Sequence, residues 1–314
     1  MQLGLGTAAL GRPQYINVRQ EECDNSDLAE FRKQSFSVLE NAYNSGIRYF
    51  DTAPGYGLAE ELLLEWLQTK NDKTIEVATK WGYTYTANFD ATAKVHEVKE
   101  HSLSKLNEQW IFSKQLLPYL KVYQIHSATL ETGVLENKQV LEQLTFLKKE
   151  HNLKIGLTTT GTNQVEVIKK ALDVLVDGEQ VFDLFQVTYN FLDQSLKEVS
   201  DELLSQNKSI VIKEALANGR VLKNENYTHY KEMYASLENL AKIHKVGVDA
   251  ISLKYCEQTI TNSIVLSGVS NSEQLEENLK MNSFSLSKDE IELLNSFKID
   301  TDFYWAERKK LQWN

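Results

Sequence analysis

Short apolar runs alternate with longer amphipathic stretches along the chain. The runs are Leu3–Thr7, Tyr49–Thr52, Ile75–Lys80, Val122–His126, Lys154–Thr158, Leu184–Thr188, Ile210–Lys213 and Ser263–Leu266. Several are rich in Val, Ile, Tyr and Phe and lack polar–apolar alternation. That is the pattern of strands buried on both faces of a parallel sheet.

Between the runs lie predicted helices. Leu28, Phe31, Leu39 and Ala42 fall near one stripe, and Gly46 supplies a stop after Ser45. Val165, Ile168, Leu172 and Leu175 form another stripe, opened by Thr162 or Asn163 as a cap. Further helices are predicted over 58–70, 93–107, 136–149, 196–206, 229–244, 247–256, 271–280 and 287–297. Strands alternating with helices imply parallel pairing through right-handed crossovers. An open doubly wound sheet has the same periodicity, but about eight units in this length fit a closed barrel. The expectation is an α/β fold, a (β/α)8 TIM barrel, forming one domain over residues 1–314 with additional C-terminal helices. No Pro/Gly/Ser-rich linker divides the chain.

Composition narrows the function classes. The net charge of -10 argues against a nucleic-acid partner, because such affinity rests on Lys and Arg neutralising phosphates. A local anion site remains compatible with an acidic chain. Two cysteines, Cys23 and Cys256, and six scattered histidines offer neither a disulfide framework nor metal-ligand spacing. No apolar run reaches the roughly 18 residues needed to span a bilayer. The N-terminus lacks the pattern of a signal peptide. A cytoplasmic protein with no metal and no membrane partner is expected.

Gly4-Leu5-Gly6-Thr7-Ala8-Ala9 fits a G-x-G-x-x-G/A fingerprint, with Asp24 near the place of a ribose-binding acid. A dinucleotide site of that kind needs a full strand before the glycines and a helix opening on them. Only three residues precede Gly4, and no helical stripe follows, so a strand leading into a loop is the better reading.

In a parallel barrel, functional groups collect at the C-terminal ends of the strands. Those ends supply Asp51, Lys80 and His126, with Tyr56 in the loop after Asp51. Tyr56 qualifies as a general acid if its pKa, ordinarily about 10, is lowered toward neutral. A buried Lys80 ammonium would do so by favouring the phenolate, with Asp51 as its counter-charge. His126 would orient or polarise a carbonyl oxygen from the other side. Singly, each residue has a structural explanation: a turn acceptor, loop packing, a solvated strand end, a satisfied histidine. Their joint position on one rim favours the chemical reading.

These residues carry a resemblance. Phe50-Asp51-Thr52-Ala53-Pro54-Gly55-Tyr56-Gly57, followed by Glu60, Glu61, Leu62 and Leu63, resembles the D-T-A-x-x-Y-G segment of aldo-keto reductases. Ala78-Thr79-Lys80-Trp81-Gly82 and Val122-Tyr123-Gln124-Ile125-His126 resemble the strands ending in that family's catalytic lysine and histidine. Lys154-Ile155-Gly156-Leu157-Thr158 is similar to the segment contacting the nicotinamide amide, with Thr158 and Thr159 offering hydroxyls. Gln186 with Tyr189-Asn190 matches Q-x-x-Y-N. Ser267-Gly268-Val269-Ser270-Asn271, then Gln274, Glu277 and Asn278, resembles the phosphate and adenine segment.

The resemblance runs from about residue 3 to 297. It implies that Tyr56, Asp51, Lys80 and His126 are catalytic. Tyr56 would protonate a carbonyl oxygen while NADPH delivers hydride, so the implied partner is a small-molecule carbonyl or alcohol. Gly6, Thr7 and Asp51 join the expected cofactor-binding set. Trp81, Tyr83 and Trp305 are candidate pocket walls, with ordinary packing as the alternative for each.

Two departures matter. Where many relatives have Tyr-Ser-Pro-Leu after strand seven, this chain has Lys213-Glu214-Ala215-Leu216-Ala217-Asn218-Gly219. The stacking tyrosine is absent, while Leu216 and Gly219 still suit a loop along the pyrophosphate. The usual cation for a 2′-phosphate is replaced by Ser270-Asn271-Ser272-Glu273, where the serines also read as N-caps. NADP(H) is therefore the favoured cofactor, with NAD(H) open. The alternatives are an NADP(H)-binding regulatory subunit with little turnover, a Schiff-base aldolase using Lys80, or a glycosidase using Asp51 and Glu214.

Overall fold

All eight apolar runs become parallel strands of one closed sheet: β1 (Leu3–Gly6), β2 (Tyr49–Asp51), β3 (Glu76–Trp81), β4 (Leu120–Ala128), β5 (Lys154–Thr159), β6 (Leu184–Thr188), β7 (Ser209–Lys213) and β8 (Ser263–Ser267). They pair in sequence order, and β8 returns to β1. The computed structural model describes residues 2–12, 28–90 and 92–311; Cys23 and Asp24 lie outside them. Around the barrel run α1 (Leu28–Asn44), α2 (Ala59–Leu67), α3 (Leu103–Ser113), α4 (Lys138–His151), α5 (Gln164–Leu172), α6 (Ser200–Ser205), α7 (Lys231–His244), α8 (Val248–Thr259), α9 (Ser272–Leu279), α10 (Lys288–Asn295) and α11 (Thr301–Arg308). Among the described residues no helix is long and apolar enough to cross a membrane.

The period of two along each strand sorts residues between two cores. Tyr49, Ala78, Val122, Leu184 and Val211 fill the barrel's lower interior, with Ile264 and Leu266 against them. Gly4 leaves room for them, since a Cβ there would meet the Tyr49 ring at 2.9 Å. The opposite strand faces join the helices in a larger core. Higher in the barrel the same inward positions turn polar, through Asp51, Lys80, Gln124 and Gln186 to His126, Thr188 and Lys213. That change of layer marks the mouth as the place for chemistry.

Three expectations are corrected. The helix predicted over 93–107 is a hairpin followed by a later helix: Tyr83–Tyr85 pairs antiparallel with Glu97–Lys99, and α3 begins only at Leu103. Ser102 sets that start by accepting from Lys105 N–H at 3.1 Å, and β-branched Val95 and Val98 face solvent in the hairpin segment. Leu175 drops out of the α5 stripe; it is exposed in a second small hairpin with Glu179–Gln180. Asn163 stands at the start of α5 without a side-chain cap bond. The segment from Thr301 is α11, one of the additional C-terminal helices expected, capped by Asp300.

Trp66 anchors the layer beneath β2. Its ring lies 5.0 Å from that of Phe50, and its indole N–H donates to Glu40 at 2.9 Å. Truncating so large a side chain leaves a cavity as well as losing burial. Trp66→Ala is expected to cost about 3–5 kcal/mol, read as a lower urea midpoint at unchanged m. A midpoint equal to that of the unmodified chain would show that helix and barrel do not depend on this contact.

Candidate active site

The end of β1 fixes the end of β2. Thr7 donates to the Asp51 carbonyl twice, from its N–H at 2.9 Å and its hydroxyl at 3.0 Å. The Asp51 carboxylate turns into the barrel and meets Lys80 Nζ at 2.6 Å, with Lys80 fully buried and Asp51 nearly so. Lys80 also donates to the Thr52 carbonyl at 2.9 Å. The other carboxylate oxygen of Asp51 accepts from Gln186 Nε2 at 2.7 Å and from Gln124 Nε2 at 3.4 Å. An ion pair this deep survives because hydrogen bonds occupy its remaining lone pairs and protons.

Tyr56 ends a single 3-10 turn, Pro54–Tyr56, above this pair. Its ring lies 4.7 Å from Lys80 Nζ, and its hydroxyl lies 3.5 Å from His126 Nε2. Asp51, Lys80, Tyr56 and His126 are thus brought together at one rim. The backbone leaves no slack there: Leu58 N–H donates to the Gly11 carbonyl at 2.8 Å, and a Cβ on Gly11 would lie 1.9 Å from the Tyr56 carbonyl oxygen.

The electrostatics differ from the sequence expectation for Tyr56. Enclosure by protein raises its hydroxyl well above the usual tyrosine value; Asp51 adds to the rise and Arg12 opposes it. The lowering that the sequence reading made a condition for the acid is therefore not met in the free chain; the phenol is held protonated, the form from which a proton can be donated. Burial drives His126 well below its ordinary value, reinforced by Lys80, Arg12 and Lys213, so its imidazole is neutral. Among the described residues its Nδ1 has no hydrogen-bond partner. His101 supports the same strand end from behind, its ring nitrogen 2.9 Å from the His126 carbonyl.

The pocket candidates divide. Tyr83 lies edge-on to His126 at 4.7 Å and only partly buried, at the rim. Trp81 points the other way, fully buried on the outer face of β3 against His101 at 5.6 Å, so packing accounts for it. Trp305 is buried on α11 beside Tyr304, next to the loop after β7. That loop is clamped to α11. Arg308 meets Glu214 at 3.0 Å, and Arg220 donates to the Tyr304 carbonyl at 3.0 Å. Burial alone would raise the Glu214 carboxyl, but Arg308, Lys213 and Arg220 hold it down at about 2.

Among the expected cofactor contacts, Thr158 faces the interior and accepts from Ser127 N–H at 2.7 Å. Thr159 faces outward, fully buried and bonded to Gln164 at 3.1 Å, which removes it from that set. Lys213 points into the mouth and donates to Thr188 at 2.8 Å. Leu216 and Gly219 flank a turn in which Ala217, Asn218 and Gly219 all have positive φ. Gly6 pairs with Asp51 at the end of β1.

After β8, Asn278 Nδ2 holds Ser267 Oγ at 2.9 Å, and Gln274 Oε1 accepts from Ser270 N–H at 2.9 Å. Glu277 pairs instead with Lys280 on the helix surface. Asn271, not a serine, caps α9, and Ser272 Oγ accepts from Asn41. Among the described residues, a Cβ added at Gly268 would meet nothing within 4 Å, and Asn278 Oδ1 is buried without a partner. The open backbone leaves room for a phosphate, while the unmet oxygen, an acceptor, suits an N–H donor on the same ligand.

Sequence reasoning missed Gln124, although it lies two residues before His126 on the same strand face and the period of two reveals it. Arg12, Glu97 and the Thr52 carbonyl were also missed. Their roles arise from contacts between distant segments, for which the sequence carries no local signal.

Comparison with known proteins agrees with the geometry. The sequence model of the Aldo/keto reductase family matches residues 2–299. An uncharacterised oxidoreductase of Bacillus subtilis (strain 168) is 25% identical over 308 residues, covering 90% of this chain and 92% of that protein. An NADH-specific methylglyoxal reductase of Escherichia coli (strain K12) is 22% identical, with 91% of each chain covered. Among solved structures, the holo form of an aldo-keto reductase from Bacillus halodurans superposes with a TM-score of 0.71 at 21% identity, covering 94% of this chain and 91% of that one. Matched along nearly its whole length, the chain belongs to the aldo/keto reductase family, oxidoreductases that work between carbonyls and alcohols with nicotinamide cofactors.

Proposed function

We propose that this chain interconverts an aldehyde or ketone with its alcohol, with Tyr56 as proton donor in the reductive direction and NADP(H) as the favoured cofactor. The observation that carries this reading is the 3.5 Å approach of the Tyr56 hydroxyl to His126 Nε2 over a buried Lys80–Asp51 pair. Two polar groups from different strand ends converge there on a space that one carbonyl oxygen can share. The bound cofactor supplies the hydride.

Tyr56 gives its proton to that oxygen as negative charge develops on it, and Lys80 places positive charge beside the phenolate left behind. Asp51 neutralises Lys80 in the ground state, which leaves the phenol protonated until substrate arrives. Neutral His126, with its proton on Nε2, donates to the same oxygen and fixes its direction. Thr158, Lys213, Leu216, Gly219, Ser267, Gly268, Ser270, Gln274 and Asn278 line the expected path of the cofactor along the ends of β5, β7 and β8.

The turn before α9 offers hydroxyls and backbone N–H groups but no cation to a 2′-phosphate, and one relative is named NADH-specific. Quenching of intrinsic fluorescence by NADPH and NADH separates the cases. Tighter saturable binding of NADPH supports the favoured cofactor, tighter NADH binding transfers the assignment, and binding of neither removes the oxidoreductase reading.

Tyr56→Phe should lower carbonyl turnover by at least about a hundredfold while leaving cofactor affinity intact. Normal turnover by that variant would remove Tyr56 as the acid. Cofactor binding without turnover of any aldehyde by the unmodified chain would favour the regulatory-subunit reading.

The raised Tyr56 hydroxyl sets the expected pH dependence. Reduction needs the phenol and should stay level through neutral pH, falling only at alkaline pH as the phenol ionises. Alcohol oxidation needs the phenolate and should climb over the same range. Steady-state rates in both directions across neutral and alkaline pH check this, and a reductive rate halved near pH 7 would contradict it.

A further inference from the structure

Arg12 is almost fully buried, carries a charge, and takes no part in the proton transfer described above. Its Nη1 donates to the Gly55 carbonyl at 2.7 Å, one residue before the acid, and to Glu97 Oε2 at 3.1 Å on the 83–99 hairpin. Its Cζ lies 5.5 Å from the centre of the Tyr56 ring and 5.7 Å from that of Tyr85 on the same hairpin. One guanidinium thus joins three segments far apart in sequence: the end of the short helical segment Ala8–Gly11 after β1, the loop after β2 and the hairpin after β3. A planar, permanently charged fork suits this better than a point charge would.

We propose that Arg12 is a positioning residue for the Tyr56 acid: its guanidinium holds the Tyr56 loop against the hairpin and, with Glu97, sets the charge balance around the phenol hydroxyl. The inference rests on Tyr56 being the proton donor.

Among the described residues, the groups facing Tyr56 come from several neighbouring elements. They are Asp51 from β2, Lys80 from β3, His126 from β4, Arg12 from the segment after β1, and Glu97 and Tyr83 from the hairpin. Burial raises the phenol most, Asp51 and Glu97 raise it further, and Arg12 works against them. Arg12 also contributes to holding His126 neutral. Arg12 and Glu97 are therefore a pair with opposite influence on one hydroxyl. A tie with a purely structural role has no such signature, because breaking it from either side disturbs the same loop in the same sense.

The test is the pH dependence of kcat, in the reductive and oxidative directions, for the unmodified chain, Arg12→Met, Arg12→Lys and Glu97→Gln. Cofactor affinity is followed by fluorescence. Removing the cation should move the alkaline limb to higher pH by on the order of one unit, the scale of a charge at this distance in a partly buried site. Glu97→Gln should move it to lower pH. Arg12→Lys should keep the limb near its original place while lowering kcat, since it keeps the charge and loses the fork. All three should leave cofactor affinity unchanged.

Shifts of the same sign in Arg12→Met and Glu97→Gln would overturn the proposal, as would a fall in kcat with the limb fixed in either of those two variants. Should Arg12→Met fail to fold, Glu97→Gln alone decides: a downward shift supports the assignment, and an upward shift or none defeats it. Full turnover by Tyr56→Phe would instead mark the failure of the underlying reading of the acid.

Discussion

Lys80 and Asp51 meet at 2.6 Å inside the barrel, nearly or fully shielded from solvent. Taking two charges out of water costs several kcal/mol per ion, which their attraction offsets only when the remaining hydrogen-bonding capacity is filled. The surrounding architecture fills it. Thr52 accepts from the ammonium, Gln186 and Gln124 donate to the carboxylate, and Thr7 pins the backbone that presents Asp51. These partners come from the ends of β1 and β2 and from β4 and β6, so the pair is fully satisfied only once β6 has been brought across the barrel from β2. The curl of the sheet and the charge state of the mouth are thus linked.

The same logic explains the division of the interior into layers. Below the pair, aliphatic and aromatic side chains close the barrel as an ordinary core. Above it, inward positions carry groups with unused hydrogen-bonding capacity, among them His126 Nδ1. Parallel strands direct the C-terminal ends of successive units to one rim, so groups distant in sequence gather without long loops to carry them. The hairpin after β3 and helix α11 then frame that rim from two sides, the first through Tyr83 beside His126 and the second through Arg308 on Glu214.

Much of this was legible in the sequence, for identifiable reasons. Each of the eight strands begins and ends within two residues of its apolar run, because burial on both faces leaves a continuous signal. Asp51, Lys80 and His126 were readable because strand ends are predictable places, and Tyr56 because it follows one within five residues. The 83–99 hairpin was not legible. Val95 and Val98 there face solvent, so their spacing imitates a helical stripe without any core behind it. Thr159 and Trp81 lie on outward strand faces, and the face, which motif matching ignores, decides between mouth and outer layer; for Trp81 this is the packing alternative. The sign at Tyr56 was misjudged for a different reason. A neighbouring ammonium is visible in sequence, whereas the depth at which the phenol sits is not.

The clamp between α11 and the loop after β7 bears on how the protein is made. Chains emerge N-terminus first, and folding begins before synthesis ends. Glu214 stands at the mouth just after β7, yet the cation closest to it, Arg308, lies 94 residues further along and is translated after every barrel strand. A nascent chain therefore reaches barrel closure with this buried carboxylate short of its strongest counter-charge, supported only by Lys213 and Arg220 nearby. The barrel can therefore close before its mouth is complete, and the mouth is finished only when α11 arrives to clamp the loop after β7.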